Sequence, residues 1–299
     1  MIQPLFSIVI PTFNRPAQLS ACLQSISRLE YPRDRFEVIV VNDGGVNPNI
    51  EPFQFLNLRV IDQENAGPAS ARNTGASHAK GQFLVFTDDD CSMLPHYLSV
   101  LESHCSEQGL IGGKTLNALP HNLFSTASQI LIDYLYEYYN RDTNRASFFA
   151  SNNFAMLRDR FRALGGFHTG FPLAAGEDRE FCDRWLAQGY PLIYAPDAQI
   201  AHAHCLTLAK FWRQHLNYGR GAYCFHQIRA ERQHESIKVE PLKFYWKLLT
   251  YPFVCRSTQS PILLSMLLFV SQVANVYGFF LERWQQRKNS GEQVWSAGE

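Results

Sequence analysis

The chain has 299 residues, 46% of them hydrophobic, with 27 basic and 27 acidic side chains and no formal net charge. That length fits one large domain or two halves sharing a cleft, and the neutral balance excludes an overall basic footprint for nucleic acid and an acidic tail. Seven scattered cysteines with no CxxC pair argue against a disulfide framework or a zinc site, and for reduced thiols in a cytoplasmic compartment.

Met1-Ile2-Gln3-Pro4 leads directly into a strand, without the basic and apolar regions of a secretory signal. Phe6 to Ile10 reads as that first strand, stopped by Pro11. Pro16 opens a helix with apolar residues at Leu19, Cys22, Leu23, Ile26 and Leu29. Phe36 to Val41 and Leu58 to Ile61 are further strands, and Pro68 to Ala79 is a short helix with proline in its first turn. Phe83 to Phe86 is a fourth strand. Near-continuous Val, Ile, Leu and Phe runs separated by helices predict a parallel sheet covered on both faces.

The second half predicts a strand near Leu110 to Gly113 and a tyrosine-rich helix from Leu123 to Tyr139. A polar loop holds Asn152-Asn153, and Gly165-Gly166 ends a short helix. An amphipathic helix follows from Glu177 to Gln188, then two short strands near Leu192–Tyr194 and Gln199–Ala201. From about Ser236 the chain becomes basic and aromatic. Pro261 to Leu281 then carries no charge, a length that suits one bilayer crossing. Ser265, Ser271, Gln272, Asn275 and Gly278 fall roughly on one face, which weakens a crossing in favour of a helix in the membrane interface or packed on protein. The three placements stay open.

Polar residues collect at the carboxyl ends of the predicted strands, where open α/β sheets bind ligands. Asp88-Asp89-Asp90 closes the fourth strand. In an extended backbone Asp88 and Asp90 face one side, and two hard oxygen ligands suit Mg²⁺ or Mn²⁺ beside a phosphate. Asp89 points the other way and is the least essential of the three. Asp43, before Gly44-Gly45, can accept a hydrogen bond from a nucleobase, though Asn-Asp-Gly is also plain turn chemistry. Gly67-Pro68 starts a helix with free N–H groups and Arg72 one turn in, an arrangement that can contact a nucleotide. Glu177-Asp178 sits at a helix N-terminus, where the dipole keeps carboxylates ionised, so it holds a candidate general base. His202 and His204, two apart after a strand, could complete a metal shell. Arg213 and Arg220, near Gly219-x-Gly221, could clamp phosphates or solvate a helix. GxxxxGK[ST], GxGxxG and GxSxG are absent from the sequence.

Taken in order, these segments resemble the family 2 glycosyltransferases of the GT-A fold. The resemblance rests on Ser7 to Arg15, Val38 to Gly44, Asn65-Ala66-Gly67 with Ala71 to Gly75, Asp88-Asp89-Asp90, Gly165-Gly166-Phe167 and Gly176-Glu177-Asp178. It implies a Rossmann-like α/β sheet, mixed but mainly parallel and flanked by helices. It implies a GT-A domain over residues 1–235, with a nucleotide-sugar half (1–115) and an acceptor half (116–235), and a helical tail over 236–299. It implies an inverting, metal-dependent hexosyltransferase that moves one sugar from a UDP- or GDP-linked donor to a glycan or lipid-linked acceptor, with Mn²⁺ or Mg²⁺ as cofactor. Pro11, Thr12, Asn14, Arg15, Asp43, Asn65, Gly67, Arg72, Asp88 and Asp89 would bind the donor. Asp90 with His202 or His204 would hold the metal, Asp178 would be the base, and Asn152, Asn153 and Glu177 would line the acceptor.

The Gln-x-x-Arg-Trp motif of processive synthases is missing, and at most one membrane span is available, so a single addition fits better than polymerisation. The tail, residues 241–281, implies association with the inner face of the plasma membrane, in cell-surface polysaccharide or glycolipid synthesis. Two rival readings are a nucleotidyltransferase, which would carry a basic glycine-rich loop where Pro11 to Arg15 stands, and a non-catalytic membrane-tethered scaffold, which would be expected to lack Asp90 or Asp178.

Overall fold

The computed structural model describes residues 4–106, 108–171, 175–233 and 240–296. Met1 to Gln3 and the expected boundary at 235/236 lie outside the described residues. The chain forms two compact units. The first holds residues up to Leu119, Leu135–Thr169 and Phe181–His204; the second holds Pro120–Tyr134, Gly170–Glu180 and the chain from Cys205 onward.

The first unit contains an eight-stranded sheet. Its strands are β1 (Phe6–Thr12), β2 (Phe36–Asp43), β3 (Leu58–Gln63), β4 (Phe83–Phe86), β5 (Cys91–Met93), β6 (Leu110–Asn117), β7 (Phe154–Leu157) and β8 (Leu192–His202), in the spatial order β3-β2-β1-β4-β7-β6-β8-β5. β1, β2, β3 and β4 run parallel. β7 enters antiparallel between β4 and β6, and β5 pairs antiparallel with β8. The helices α1 (Pro16–Ser27), α2 (Pro68–His78), α3 (Tyr97–His104) and α5 (Arg158–Ala163) belong to this unit. Every residue of β1, β2 and β4 is buried, which is why these strands read as continuous apolar runs. Burying both faces of such strands, at about 25 cal/mol per Å² of apolar surface, is the main force holding this half together.

Beneath the β4 end lies a cluster of phenylalanines. Phe86, Phe154, Phe161, Phe167 and Phe181 meet with ring centroids 5.0–6.1 Å apart. Pairs of this kind contribute about 0.5–1.5 kcal/mol each beyond the area they bury.

The prediction of two short strands near 192 and 199 becomes one strand, β8. It pairs with β6 throughout but slips register after Gly113, where Ala195 and then Gln199 stand opposite consecutive residues. An irregularity of this kind breaks the two-residue alternation that a sequence pattern needs. β5 and β7 have no counterpart among the predicted strands. Both are short, and β5 exists only by pairing with β8.

The helices α4 (Leu123–Tyr139) and α6 (Glu177–Ala187) match their predicted spans to within a residue. The second unit is dominated by α7 (Leu208–Gln233), α8 (Leu242–Thr250) and α9 (Pro261–Ser296). α7 and α9 cross at closely approaching glycines. A Cβ on Gly219 would lie 2.7 Å from the Asn275 carbonyl carbon, and one on Gly278 would lie 2.9 Å from that of Leu216. Only a residue without a side chain lets two backbones meet this closely.

Candidate active site

The loops after β1, β2 and β4 leave the sheet at one edge and are stitched together. Asn14 adopts a left-handed φ of 55° and accepts a 2.9 Å hydrogen bond from the Val46 amide on its side-chain oxygen. Asp43 is buried; its carboxylate accepts from Gln63 Nε2 at 2.7 Å and from the amides of Ala66 and Gly67 at 2.9 and 2.8 Å. Asn65 donates to the Asp43 carbonyl at 2.9 Å. Gly44, with φ of 82°, turns the chain where a side chain would strike the Asn65 backbone. Asp43 thus closes the loop that leads into α2 by taking up the amides of Ala66 and of the N-cap residue Gly67. One lone-pair direction of the four on a carboxylate remains for a further donor.

The three aspartates do not continue the strand. The Cys91 amide bonds back to the Asp88 carbonyl at 3.1 Å, so the segment turns before β5 begins. Alternation no longer governs where the carboxylates point, and each finds a different partner. Asp88 accepts from Arg72 Nη2 at 2.7 Å. Asp89 accepts from Thr12 Oγ1 and Arg15 Nη1, both at 2.8 Å. Asp90 lies 3.0 Å from Arg15 Nη1 and 3.1 Å from His202 Nε2. Asp89, expected to be the least essential, is the most enclosed of the three and ties the β1 loop to the β4 loop. Arg72, expected to reach a nucleotide, is itself buried, pairs with Asp88 and lies over the Phe167 ring at 5.7 Å. Asn73 holds Phe167 by two 2.8 Å hydrogen bonds to its backbone.

The β5–β8 pairing brings Asp90 to the histidines. Cys91 stands opposite His202 in the ladder, and the Ala203 amide bonds to the Asp90 carbonyl at 2.8 Å. His202 and His204 stack at 4.9 Å between ring centroids. Burial alone would raise the Asp90 carboxyl, but the His202 hydrogen bond and the charges of His202 and Arg15 outweigh it and hold Asp90 well below the usual carboxylate range. Burial pulls the His202 ring down, and Asp90 more than restores it, so its pKa is raised. Burial and the His202 charge push His204 down to about 4, which leaves it neutral.

Asp90, Cys91 and His202 offer ligand atoms within 4.8 Å of one another. An ionised carboxylate and an imidazole suit a divalent ion of the Mn²⁺ or Mg²⁺ kind. Cys91 suits it poorly, because sulfur is a soft ligand and Mn²⁺ and Mg²⁺ prefer oxygen and nitrogen; burial also raises its thiol pKa well above the ordinary range. Of the two histidines, His202 is the one that reaches Asp90.

The asparagines expected to line an acceptor lie inside the protein. Asn153 is fully buried, accepting from Tyr97 Oη at 2.8 Å and donating to the Ala198 carbonyl at 3.2 Å. Its amide brackets the core at both ends, so the acceptor role is withdrawn for it. Asn152 is buried beside Thr115 at 3.5 Å.

In the second unit, Gly176 has a φ of 96° and opens α6. Its Cβ would lie 3.0 Å from the Gly221 carbonyl oxygen, and a Cβ on Gly221 would meet the Ala175 backbone, so the two glycines seat the start of α6 on α7. Asp178, half-buried in that first turn, accepts from the Arg179 amide at 2.7 Å. Glu177 is buried. Gly219 and Gly221 are therefore contact points inside a helix. Arg220 between them is no phosphate clamp: it donates to Glu282 at 2.7 Å and to Gln285 at 3.0 Å.

Residues 7–165, just over half of the chain, match the sequence profile of Glycosyl transferase family 2. The chain belongs to glycosyl transferase family 2. Among curated relatives, glycosyltransferase AglE of Haloferax volcanii is 28% identical over 207 residues, 67% of each chain. Probable glycosyltransferase YdaM of Bacillus subtilis is 27% identical over 234 residues, covering 73% of this chain and 55% of that one. The chain thus spans about two thirds of one relative and little more than half of the other. Among solved structures, the mannosyltransferase PcManGT of Pyrobaculum calidifontis, in complex with GDP-Man and Mn²⁺, superposes with a TM-score of 0.62 at 18% identity. The alignment covers 93% of this chain and 88% of that one. That likeness establishes the GT-A fold. Sugar transfer from a nucleotide sugar is the activity of the family.

The glycosyltransferase match ends before Asp178, His202 and His204, so these positions rest on the sequence order and the geometry described above. Sequence reasoning did not see that Thr12 and Arg15 converge on Asp89, or that Cys91 joins the Asp90–His202 pair. The signal for the first was present, since Thr12 and Arg15 flank a strand end as the aspartates do, but their pairing is non-local.

Proposed function

We propose that this glycosyltransferase moves a single hexosyl unit, with inversion, from a UDP- or GDP-linked sugar to a hydroxyl of a glycan or lipid-linked acceptor at the cytoplasmic face of a membrane. The observation that carries the proposal is the Asp90–His202 pair, 3.1 Å apart at the end of β4, beside the Asp43 loop. PcManGT was solved with GDP-Man and Mn²⁺, and the GT-A protein GalNAc-T7, with a TM-score of 0.54, was solved with UDP, GalNAc and Mn²⁺. By that analogy Asp90 and His202 would hold the divalent ion, which would take up charge on the departing diphosphate. Asp43 keeps one acceptor direction for a nucleobase N–H. Arg15, half-exposed beside Asp89 and Asp90, supplies positive charge near the phosphates.

Asp178 removes the proton from the acceptor hydroxyl. The freed oxygen bonds to the anomeric carbon as the bond from that carbon to the phosphate oxygen breaks, and the nucleoside diphosphate leaves with the electron pair. One displacement of this kind inverts the anomeric centre. The test is nucleotide release from a panel of sugar nucleotides with Mn²⁺ and with EDTA, followed by NMR of the product anomer. Asp178→Asn is expected to lower turnover by about 10²–10⁴-fold with donor affinity retained. Full activity in Asp178→Asn, or a product with retained configuration, refutes the assignment of the base.

A further inference from the structure

The C-terminal helix α9 is inside out for a surface helix. Its polar stripe is turned to the protein: Ser271 is fully buried, Gly278 meets the Leu216 backbone of α7, and Glu282 is buried against Arg220. From Pro261 to Trp284 every exposed residue of α9 is proline, aliphatic or aromatic. Ile262, Met266, Phe269, Val273, Phe280 and Trp284 mark the face, each at least 43% exposed and spaced by three, four or seven residues. The face extends roughly 33 Å at 1.5 Å per residue. α8 adjoins it, tied by the Ser265 hydroxyl to the Leu249 carbonyl at 2.7 Å, and exposes Leu242 and Trp246.

The flanking charges say what covers this surface. Residues 241–288 hold the cations Lys243, Lys247, Arg256, Arg283, Arg287 and Lys288 against one acid, the buried Glu282. Apolar side chains bounded by tryptophans and cations match the interior, the headgroup level and the phosphates of an anionic bilayer. Two copies pairing through the same face would bring like charges together. We infer that the outward face of α9, with Leu242 and Trp246 of α8, lies flat in the surface of an anionic lipid bilayer and does not cross it. A crossing would draw α7 into the hydrocarbon with α9, because the helices are joined backbone to backbone, and α7 carries Lys210, Arg213, Arg220 and Arg229. The inference deepens the membrane part of the proposed function.

Flotation of the full chain with vesicles of phosphatidylcholine plus phosphatidylglycerol tests it, without donor or acceptor, so that it fails or stands apart from sugar transfer. Binding is expected to the anionic vesicles, weakened by salt, and about ten-fold or more weaker in Phe269→Glu/Phe280→Glu. The melting temperature of that variant is expected to stay unchanged, because both side chains are exposed. The fluorescence of Val273→Trp, midway along the face, is expected to be quenched more by lipids brominated near the headgroup than by those brominated near the bilayer centre. Stronger deep quenching overturns the flat placement. Absence of vesicle binding, with self-association in sedimentation that the same double substitution abolishes, overturns the lipid and assigns the face to a second copy.

Discussion

Replacing Gly278 by alanine sets two effects of opposite sign against each other. In a helix interior, Gly→Ala by itself stabilises by about 1 kcal/mol. Here the new Cβ would collide with the Leu216 carbonyl oxygen and lie 2.9 Å from that carbonyl's carbon and 3.2 Å from the Arg220 amide nitrogen, where ordinary contact begins at 3.4 Å. All of these obstacles are backbone, so no rotamer change relieves them, and α7 and α9 must part locally. Overpacking of this kind costs about 1–3 kcal/mol. Parting also stretches the 2.7 Å bond from Arg220 to Glu282, one turn further along α9. A charge-assisted bond to a buried carboxylate contributes about 1.5–3 kcal/mol, part of which would be lost. The unfavourable terms exceed the propensity gain, and the expected net effect is a destabilisation of about 2 kcal/mol or more. Urea unfolding read through amide hydrogen exchange in α7 and α9 measures it in the unit concerned. Gly219→Ala is expected to act alike and to combine less than additively with Gly278→Ala, because helices already parted admit the second methyl at lower cost. A Gly278→Ala protein as stable as the wild type, or more so, would refute the backbone-to-backbone crossing and with it the argument that α9 cannot leave α7.

Two predictions concern the aspartate turn. Mn²⁺ is expected to raise the melting temperature of the wild type and not that of Asp90→Asn. His202→Ala should weaken the ion by at least the 10–100-fold typical of losing an outer partner. Cys91→Ser should leave the Mn²⁺ response unchanged, since a soft thiol is a poor ligand for this hard ion; a response lost in Cys91→Ser would show that sulfur ligates. Asp89→Ala is expected to leave the buried Thr12 hydroxyl without its acceptor and Arg15 with Asp90 as its remaining carboxylate here, costing about 1–2 kcal/mol of stability and weakening donor binding. Asp89→Asn keeps an acceptor oxygen and should cost less. Unfolding midpoints and donor titrations decide this, and an Asp89→Ala protein with neither defect would remove the anchoring role.

The parts of this protein legible in its sequence are those governed by local periodicity and by punctuation at the ends of elements. β1, β2 and β4 appear as apolar runs because both of their faces are covered, the half-buried edge strand β3 appears through its shorter apolar run, and α2, α4 and α6 appear through their spacing, prolines and glycines. The polar residues at the strand ends could be assigned to one edge because parallel strands place their carboxyl ends together. The order of the motifs then sufficed for the family.

Tertiary structure decided what each polar side chain does. A three-residue strand, β5, has no sequence period of its own, yet its pairing with β8 is what carries His202 to Asp90. The turn from Asp88 to Cys91 cancels the alternation expected of an extended chain, so the three carboxylates go to Arg72, to Thr12 with Arg15, and to His202. The Asn152-Asn153 pair looked like a surface loop because local polarity cannot reveal that Tyr97 and Ala198 close over it. Likewise the sequence determined that α9 has a polar stripe and an apolar face, since both follow from the helical repeat. It did not determine which face turns inward. That depends on Gly219 and Arg220, some sixty residues away, which admit the backbone of α9 and neutralise Glu282.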